Sequence, residues 1–107
     1  MTRDEILNMP AGQDMDLLVA EEVLKLDSIG WNERFFHNRA NFSTDIRAAW
    51  EVVERMGNVD ELHDVDIRTS IRGWYCNIFN SFDSFEAGAE TAPLAICRAA
   101  LLAVEAE

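Results

Sequence analysis

The sequence predicts an α+β fold in which about four helices pack with a small antiparallel sheet of two or three strands. Its 107 residues are enough for one hydrophobic core and too few for two, so we expect residues 1–107 to form a single domain. Apolar residues make up 49% of the chain and charged residues 27%, an ordinary globular composition. The spacing of the apolar residues is helical in four segments, and it alternates over residues 62–79.

Two helices are predicted before residue 26. Thr2-Arg3-Asp4-Glu5 is typical of a capping box, and the helix it begins ends by Met9 because Pro10 disfavours helical geometry in the residue before it. The second helix runs from about Gln13 to Lys25. Its apolar residues share one face and its acidic residues point outward, with Met15, Leu18, Val19 and Val23 set against Asp16, Glu21 and Glu22.

The third helix is predicted to begin after Ser43, its N-cap, and to end at Gly57. Asp45 lies in the first turn, where a negative charge suits the positive end of the helix dipole. The predicted buried stripe comprises Ile46, Ala49, Trp50, Val53 and Met56.

The last helix is predicted to begin at Thr91, whose hydroxyl caps it, with Pro93 in the first turn. Arg98 interrupts this apolar helix and has two interpretations. It pairs with a carboxylate at the helix edge, or it points into a pocket as an anion ligand. The predicted buried stripe comprises Leu94, Cys97, Ala100, Leu101 and Val104.

Alternation of apolar and polar residues predicts the strands. Gly73 separates a first strand over residues 62–71 from a second over residues 74–79, which is rich in β-forming residues. Residues 80–84 are predicted as a turn and residues 85–89 as a third, shorter strand. On the first strand the predicted inward side chains are Val65, Ile67, Thr69 and Ile71.

The net charge of −11 and the pI near 4.4 argue against a broad basic surface for duplex nucleic acid or for an anionic membrane. The sequence has no run of 18 apolar residues and its first residues lack an apolar signal segment, so we expect a cytoplasmic protein. The two cysteines, Cys76 and Cys97, are predicted to be reduced and buried.

Catalytic chemistry has little support in the sequence. Neither His37 nor His63 has a second metal ligand at helical spacing, and His63-Asp64 alone does not define a general base. Phosphate-binding loops, dinucleotide glycine patterns and nucleophile elbows are absent. We therefore expect a protein that is not an enzyme and that holds no cofactor or metal.

A stronger candidate is an aromatic and arginine-rich segment over residues 31–42. Aromatic faces stack planar bases, and guanidinium groups bind phosphates in bidentate fashion. The alternative is that the aromatic residues are core anchors and the arginines pair with nearby acids. The predicted ligand-binding residues are Trp31, Arg34, Phe35, Phe36, His37 and Arg39, with Arg72 and Tyr75 joining them if the fold brings them near.

Four segments carry a family resemblance: Thr2–Leu7, Asp16–Glu21, Phe42–Glu54 and Glu90–Leu102. The third contains Phe-Ser-Thr-Asp-Ile and Ala-Ala-Trp-Glu-Val-Val-Glu, and the fourth reads Glu-Thr-Ala-Pro-Leu-Ala-Ile-Cys-Arg-Ala-Ala-Leu-Leu. In this order they resemble the phage ABA-sandwich family. The resemblance implies a compact α/β sandwich and an origin in a phage or prophage, in a family with no settled activity.

Three functions remain open. The first is a counter-defence protein that sequesters a small nucleotide immune signal of the host. The second is an acidic inhibitor or nucleic-acid mimic that binds a host defence enzyme through residues 1–30 and 58–70. The third is an accessory protein of the virion or its assembly. A domain of 12.1 kDa encloses little volume by itself, so we also expect a homo-oligomer.

Overall fold

In the described part of the chain, three helices precede three strands and a fourth helix follows them. The computed structural model describes residues 2–24, 41–58 and 64–105. The helices are α1 (Arg3–Asn8), α2 (Gln13–Leu18), α3 (Ile46–Asn58) and α4 (Ala92–Glu105), and α2 continues as a π-helical segment, Val19–Val23. The strands are β1 (Asp64–Ser70), β2 (Gly73–Phe79) and β3 (Ser84–Ala89).

The three strands form one antiparallel sheet in the order β1-β2-β3. Ile67, Cys76 and Ala87 lie side by side in its register. Cys76 and Ala87 are buried, whereas Tyr75 and Glu86, on the alternate positions, are exposed. The α+β prediction, with its small antiparallel sheet, is therefore confirmed.

Helix α4 is the centre of the core. It contacts β2, β3 and α3, and eleven of its fourteen residues are buried. The sequence predicted a single buried stripe on this helix, but α4 is enclosed on nearly all sides, as expected for a helix that is apolar around its whole circumference. Even so, no helix in the described part of the chain is long and apolar enough to cross a membrane.

The predicted buried stripe of α3 is wrong by part of a turn. Ala48, Ala49 and Val52 are buried, but Trp50 is 51% exposed and Ile46 is 48% exposed. The apolar arc of α3 is wider than the surface that α4 and β1 cover. The core takes the side with Ala48, Ala49, Val52 and Met56, where the alanines allow the backbones to approach closely. The predicted burial of Ala49 and Met56 is therefore confirmed, whereas Ile46 and Trp50 remain outside.

The prediction that Asp16 points to solvent is also wrong. Asp16 is buried, and its Oδ1 accepts hydrogen bonds from the Ser43 amide at 2.7 Å and the Ser43 hydroxyl at 2.6 Å. The Ser43 hydroxyl also accepts a hydrogen bond from the Gly12 amide at 2.9 Å. We name these three residues the Asp16–Ser43–Gly12 network. It joins the start of α2 to the chain that enters α3.

Ser43 is therefore not the N-cap of α3. That position belongs to Asp45, whose Oδ1 accepts a hydrogen bond from the Arg47 amide at 2.9 Å and whose carbonyl accepts one from the Ala49 amide at 2.9 Å. The other predicted caps are confirmed, since the Thr2 hydroxyl accepts from the Glu5 amide and the Thr91 hydroxyl from the Leu94 amide.

Strand β1 ends earlier than its alternating pattern predicts. Ile71 is fully exposed and lies in a turn, because Ser70 accepts a hydrogen bond from the Arg72 amide and Gly73 adopts φ +129°. Thr69 is also exposed. The predicted start of this strand at residues 62–63 and the predicted end of the second helix at Lys25 lie outside the described residues.

Candidate ligand-binding cleft

A cleft of about 460 Å³ lies where the β1–β2 turn meets the start of α4 and the chain between α1 and α2. We name it the Arg72–Arg98 cleft. Its volume falls within the range that small-molecule sites occupy, about 300–1,000 Å³. The lining residues are Asn8, Pro10, Ala11, Arg72, Trp74, Tyr75, Gly88, Ala89, Glu90, Thr91, Leu94 and Arg98.

Gly73 brings the two sides of the cleft together. A Cβ atom at this position would lie 2.6 Å from the Ala89 carbonyl oxygen, so only glycine permits the backbones to approach this closely. The positive φ of Gly73 closes the turn in which Arg72 lies. Arg72 is thereby held beside Glu90 and Thr91, at the entrance to α4.

Arg98 closes the inner wall of the cleft. Its Nε and Nη2 donate to the Met9 carbonyl at 3.3 and 2.8 Å, and its Nη1 donates to the Gly88 carbonyl at 3.0 Å. Both predicted interpretations of this residue missed these bonds, because its partners are backbone carbonyls. Arg98 connects the α1–α2 linker to β3, and it also contributes positive charge to the cleft.

The charge of Arg98 persists in this position. Burial lowers the pKa of its guanidinium, and the nearby Glu90 carboxylate acts in the opposite direction. Because an arginine in water has a pKa above about 12, a guanidinium that donates three hydrogen bonds to carbonyls remains protonated at neutral pH. The cleft therefore contains two guanidinium groups and one carboxylate, in a chain whose net charge is −11.

Two aromatic side chains from neighbouring positions of β2, Trp74 and Tyr75, point to opposite faces of the sheet, and both line the cleft. Trp74 is half-buried against the core, and Tyr75 is 37% exposed. The Tyr75 ring lies across Gly88, since a Cβ atom on Gly88 would be 3.2 Å from Tyr75 Cε1. The missing side chain of Gly88 leaves the ring room to lie over β3.

The start of α4 adds a further positive contribution. Thr91 caps the helix by accepting a hydrogen bond from the Leu94 amide, and it lines the cleft at the end of α4 where the helix dipole is positive. Glu90 precedes this cap and is the one carboxylate among the described residues of the lining. The arrangement can bind an anionic group near Arg72 and hydrogen-bond donors near Glu90. Elsewhere in the described part of the chain, no group of three His, Cys, Asp or Glu side chains is placed to hold a metal ion.

Two of the predicted site residues, Arg72 and Tyr75, line this cleft together. The others, Trp31, Arg34, Phe35, Phe36, His37 and Arg39, lie outside the described residues. Sequence reasoning did not include Trp74 and Glu90 in the site. A usable signal was available for both, because each directly neighbours a residue already singled out, Trp74 beside Tyr75 and Glu90 beside the helix cap Thr91.

Comparison with known proteins places this fold among phage proteins. The phage ABA sandwich domain matches residues 17–101. A 2.0 Å crystal structure of a phage protein from Bacillus cereus ATCC 14579 superimposes with a TM-score of 0.70 at 22% sequence identity, covering 92% of this chain and 91% of that one. No curated protein matches the sequence. The match to the domain covers most of the chain, and the chain belongs to the phage ABA sandwich domain family.

Proposed function

We propose that this chain is a non-enzymatic binding protein that sequesters a small nucleotide in the Arg72–Arg98 cleft. The observation that supports this function is the pairing of two guanidinium groups with two aromatic side chains around one cleft, in a strongly acidic chain. Nucleotides combine a planar base with an anionic phosphate, and these side chains recognise the two parts separately.

The phosphate is assigned to the side of the cleft formed by Arg72 and the start of α4. Arg72 is exposed, and its side chain is not among the groups that hold the backbone together. An exposed guanidinium can turn toward a phosphate, whereas Arg98 is fixed by three hydrogen bonds to carbonyls. Arg72 therefore contacts the ligand directly, and Arg98 supplies charge from a fixed position.

The base is assigned to Tyr75, and the ribose or an amino group of the base to Glu90. Tyr75 presents an exposed ring beside the cleft, and stacking on such a ring contributes about 1–3 kcal/mol per base. The Glu90 carboxylate accepts hydrogen bonds only. It favours ligands with hydroxyl or amino donors over inorganic phosphate, which gives the cleft selectivity.

The membership in a phage domain family suggests the biological setting of this binding. A phage protein that captures a nucleotide without chemistry lowers the free concentration of that nucleotide in the host. We propose that the captured molecule is a nucleotide immune signal, so that the protein acts in counter-defence.

The test is a thermal-shift screen of the purified protein against linear and cyclic nucleotides, followed by calorimetric titration. A ligand at a hundred times its dissociation constant adds about 2.7 kcal/mol to the free energy of unfolding, which raises the melting temperature by several degrees in a domain of this size. We expect Arg72→Ala and Tyr75→Leu each to weaken binding by about tenfold or more, because each removes a direct contact.

Arg3→Ala is the matched control. Arg3 is exposed on the first turn of α1 and does not line the cleft. Its removal changes the net charge as much as Arg72→Ala does, without altering the lining of the cleft. A nucleotide that binds wild type, Arg72→Ala and Tyr75→Leu equally well would contradict the assignment of the cleft.

The acidic surface supports a second candidate function, the inhibition of a host enzyme by protein binding. Asp4, Glu5, Asp14 and Glu21 are exposed on α1, α2 and the π-helical segment. Under this function, Asp14→Arg combined with Glu21→Arg abolishes capture of the target and Arg72→Ala does not. The reverse result would favour the cleft.

A further inference from the structure

Helix α3 carries an apolar ridge on its exposed side. Ile46 is 48% exposed, Trp50 is 51% exposed, and Val53 is half-buried at the edge of the core. These residues are spaced by four and three positions, so they form one continuous stripe along the helix, and Gly57 continues it four residues later. A tryptophan and an isoleucine side by side on a helix surface are typical of an interaction site.

The charged residues beside this ridge are placed so that two antiparallel copies of α3 would bring opposite charges together. Arg47 and Glu54 are seven residues apart and therefore lie two turns apart on the same flank of α3. When two copies of such a helix pack antiparallel about a two-fold axis, identical flanks face each other. Trp50 of each copy then lies opposite Val53 of the other, and Arg47 lies within about 3 Å, measured along the helix axis, of the level of Glu54 of the other. The same axis places Ile46 opposite Gly57, a bulky residue facing a small one.

We propose that α3 is a self-association surface, on which a second copy of this chain packs its own α3 antiparallel across the Ile46–Trp50–Val53 ridge. The arrangement is isologous, so every contact occurs twice. This inference is independent of the function of the cleft, because no residue of the ridge lines the cleft.

The size of the surface indicates the strength of the association. A helix of 13 residues is about 20 Å long, and one such helix pair covers less than the roughly 1,200–2,000 Å² of a standard interface. We therefore expect a reversible dimer in the micromolar range rather than an obligate one. Trp50 is the anchor of this dimer, since buried tryptophans dominate the binding energy of small interfaces.

Sedimentation velocity of the full chain from about 5 to about 500 µM, a range suited to a small interface, tests the proposal. The wild-type sedimentation coefficient is expected to rise with concentration from the monomer value to the dimer value. Arg47→Glu and Glu54→Arg, tested separately, should each weaken the dimer by about tenfold or more, because each creates two like-charge contacts across the axis. Trp50→Glu should give a monomer over the whole range.

Mixing provides the decisive measurement. An equimolar mixture of R47E and E54R chains is expected to form a heterodimer, since the acidic flank of one variant then faces the basic flank of the other. The double variant R47E/E54R should regain the wild-type dissociation constant. Effects on a single helix cannot produce the heterodimer, because they do not depend on the identity of the second copy.

Glu86→Arg is the matched control, an exposed charge reversal on β3 that should leave the dimer unchanged. Far-UV circular dichroism and the melting temperature of each variant confirm that it is folded. A wild-type chain that stays monomeric at every concentration would overturn the proposal. So would a dimer that persists in R47E, E54R and W50E, which would place the interface elsewhere, or the absence of a heterodimer in the mixture.

Discussion

The Asp16–Ser43–Gly12 network shows at the scale of single residues how a buried charge is retained in this core. Burial raises the pKa of the Asp16 carboxyl, and the two hydrogen bonds from Ser43 act in the opposite direction. Because burial is the larger effect, ionised Asp16 is less favourable in the folded chain than in water. In return, the Asp16 side chain connects α2 to the chain that enters α3.

This balance predicts different results for two substitutions of Asp16. Asp16→Ala leaves the buried Ser43 amide and hydroxyl without their acceptor, so we expect the free energy of unfolding to fall by about 1–3 kcal/mol. Asp16→Asn retains an acceptor oxygen at the same place and should cost less. Urea denaturation at neutral pH measures both values, and equal losses for the two variants would contradict the role of the acceptor.

The direction of the Asp16 pKa shift also predicts a pH dependence. The folded chain binds the Asp16 proton more tightly than the unfolded chain, whose carboxyl has a pKa of about 3.9. The contribution of Asp16 to stability is therefore greatest below that value and decreases as pH rises through the raised folded pKa. The loss caused by Asp16→Asn should shrink over the same window, and urea titrations at several pH values check it.

Sequence reasoning placed Asp16 in water because charged residues are mostly exposed and because the buried face of α2 was assigned to the apolar residues around it. The partner that permits its burial, Ser43, is 27 residues away along the chain. A local pattern contains no information on a pair at this separation. Its residue type predicted that Ser43 caps α3, but in the structure Ser43 is bonded to Asp16 and lies before the cap.

At the scale of elements, the sheet contains two glycines, Gly73 and Gly88, at which an added Cβ atom would contact different kinds of neighbour. Alanine at Gly73 would meet the Ala89 carbonyl oxygen at 2.6 Å and would also have to adopt φ +129°. Alanine at Gly88 would meet only the Tyr75 side chain, at 3.2 Å, and that side chain can move. We expect Gly73→Ala to lower the free energy of unfolding by about 2 kcal/mol or more, from backbone strain of about 1–3 kcal/mol together with the displaced strand.

Gly88→Ala is the matched control for this prediction, because it adds the same methyl group to the same sheet. Its effect on the free energy of unfolding should be smaller than that of Gly73→Ala by about 1 kcal/mol or more, since a side chain yields more readily than a backbone. Thermal denaturation of both variants measures the difference. Equal losses would show that the close contact at Ala89 is relieved by a shift of the strands.

Most elements were predictable from local signals. The caps at Thr2 and Thr91, the turn after Asn80 and the alternation of β2 each depend on residues within a few positions. The covered face of α3 was not, because the helix offers a wide apolar arc and only the packing against α4 and β1 selects a part of it. The π-helical segment after α2 also has no sequence signal that we can identify.

At the scale of the whole molecule, the cleft depends on parts of the chain that lie outside the three-stranded sheet. Arg72 and Tyr75 are close in sequence, and their proximity was predictable. Arg98, Glu90 and the α1–α2 linker join them only because α4 returns across the sheet. The cleft forms within one chain, so a pocket of this size does not require an oligomer, and the α3 ridge gives a separate reason to expect one.

The two buried cysteines belong to this scale because they lie at the contact between the sheet and α4. Cys76 on β2 and Cys97 on α4 are both fully buried and free. Burial, and to a smaller extent Asp66, raises the pKa of Cys76 to about 12. Burial also raises the pKa of Cys97, with smaller contributions from Asp16 and Cys76. Since the thiolate is the reactive form, both side chains should be inert in the folded state.

A disulfide reagent such as Ellman's reagent measures this inertness. We expect no rapid reaction of the folded chain at mildly alkaline pH and the rapid release of two equivalents in denaturing urea. In the absence of denaturant, the slow rate should be the same for Cys76→Ala and Cys97→Ala, because one opening of the core exposes both thiols. If one thiol reacted well before the other, the sheet and α4 would separate in steps.

The rate at which the two buried thiols are labelled thus measures the rate at which the core opens. Labelling at a fixed time, followed by mass measurement of the intact chain, counts the molecules that have opened, without a dye, a tag or a purified sample. The same count taken with and without a candidate nucleotide would report binding as a slower label uptake, even inside a crude extract of infected cells.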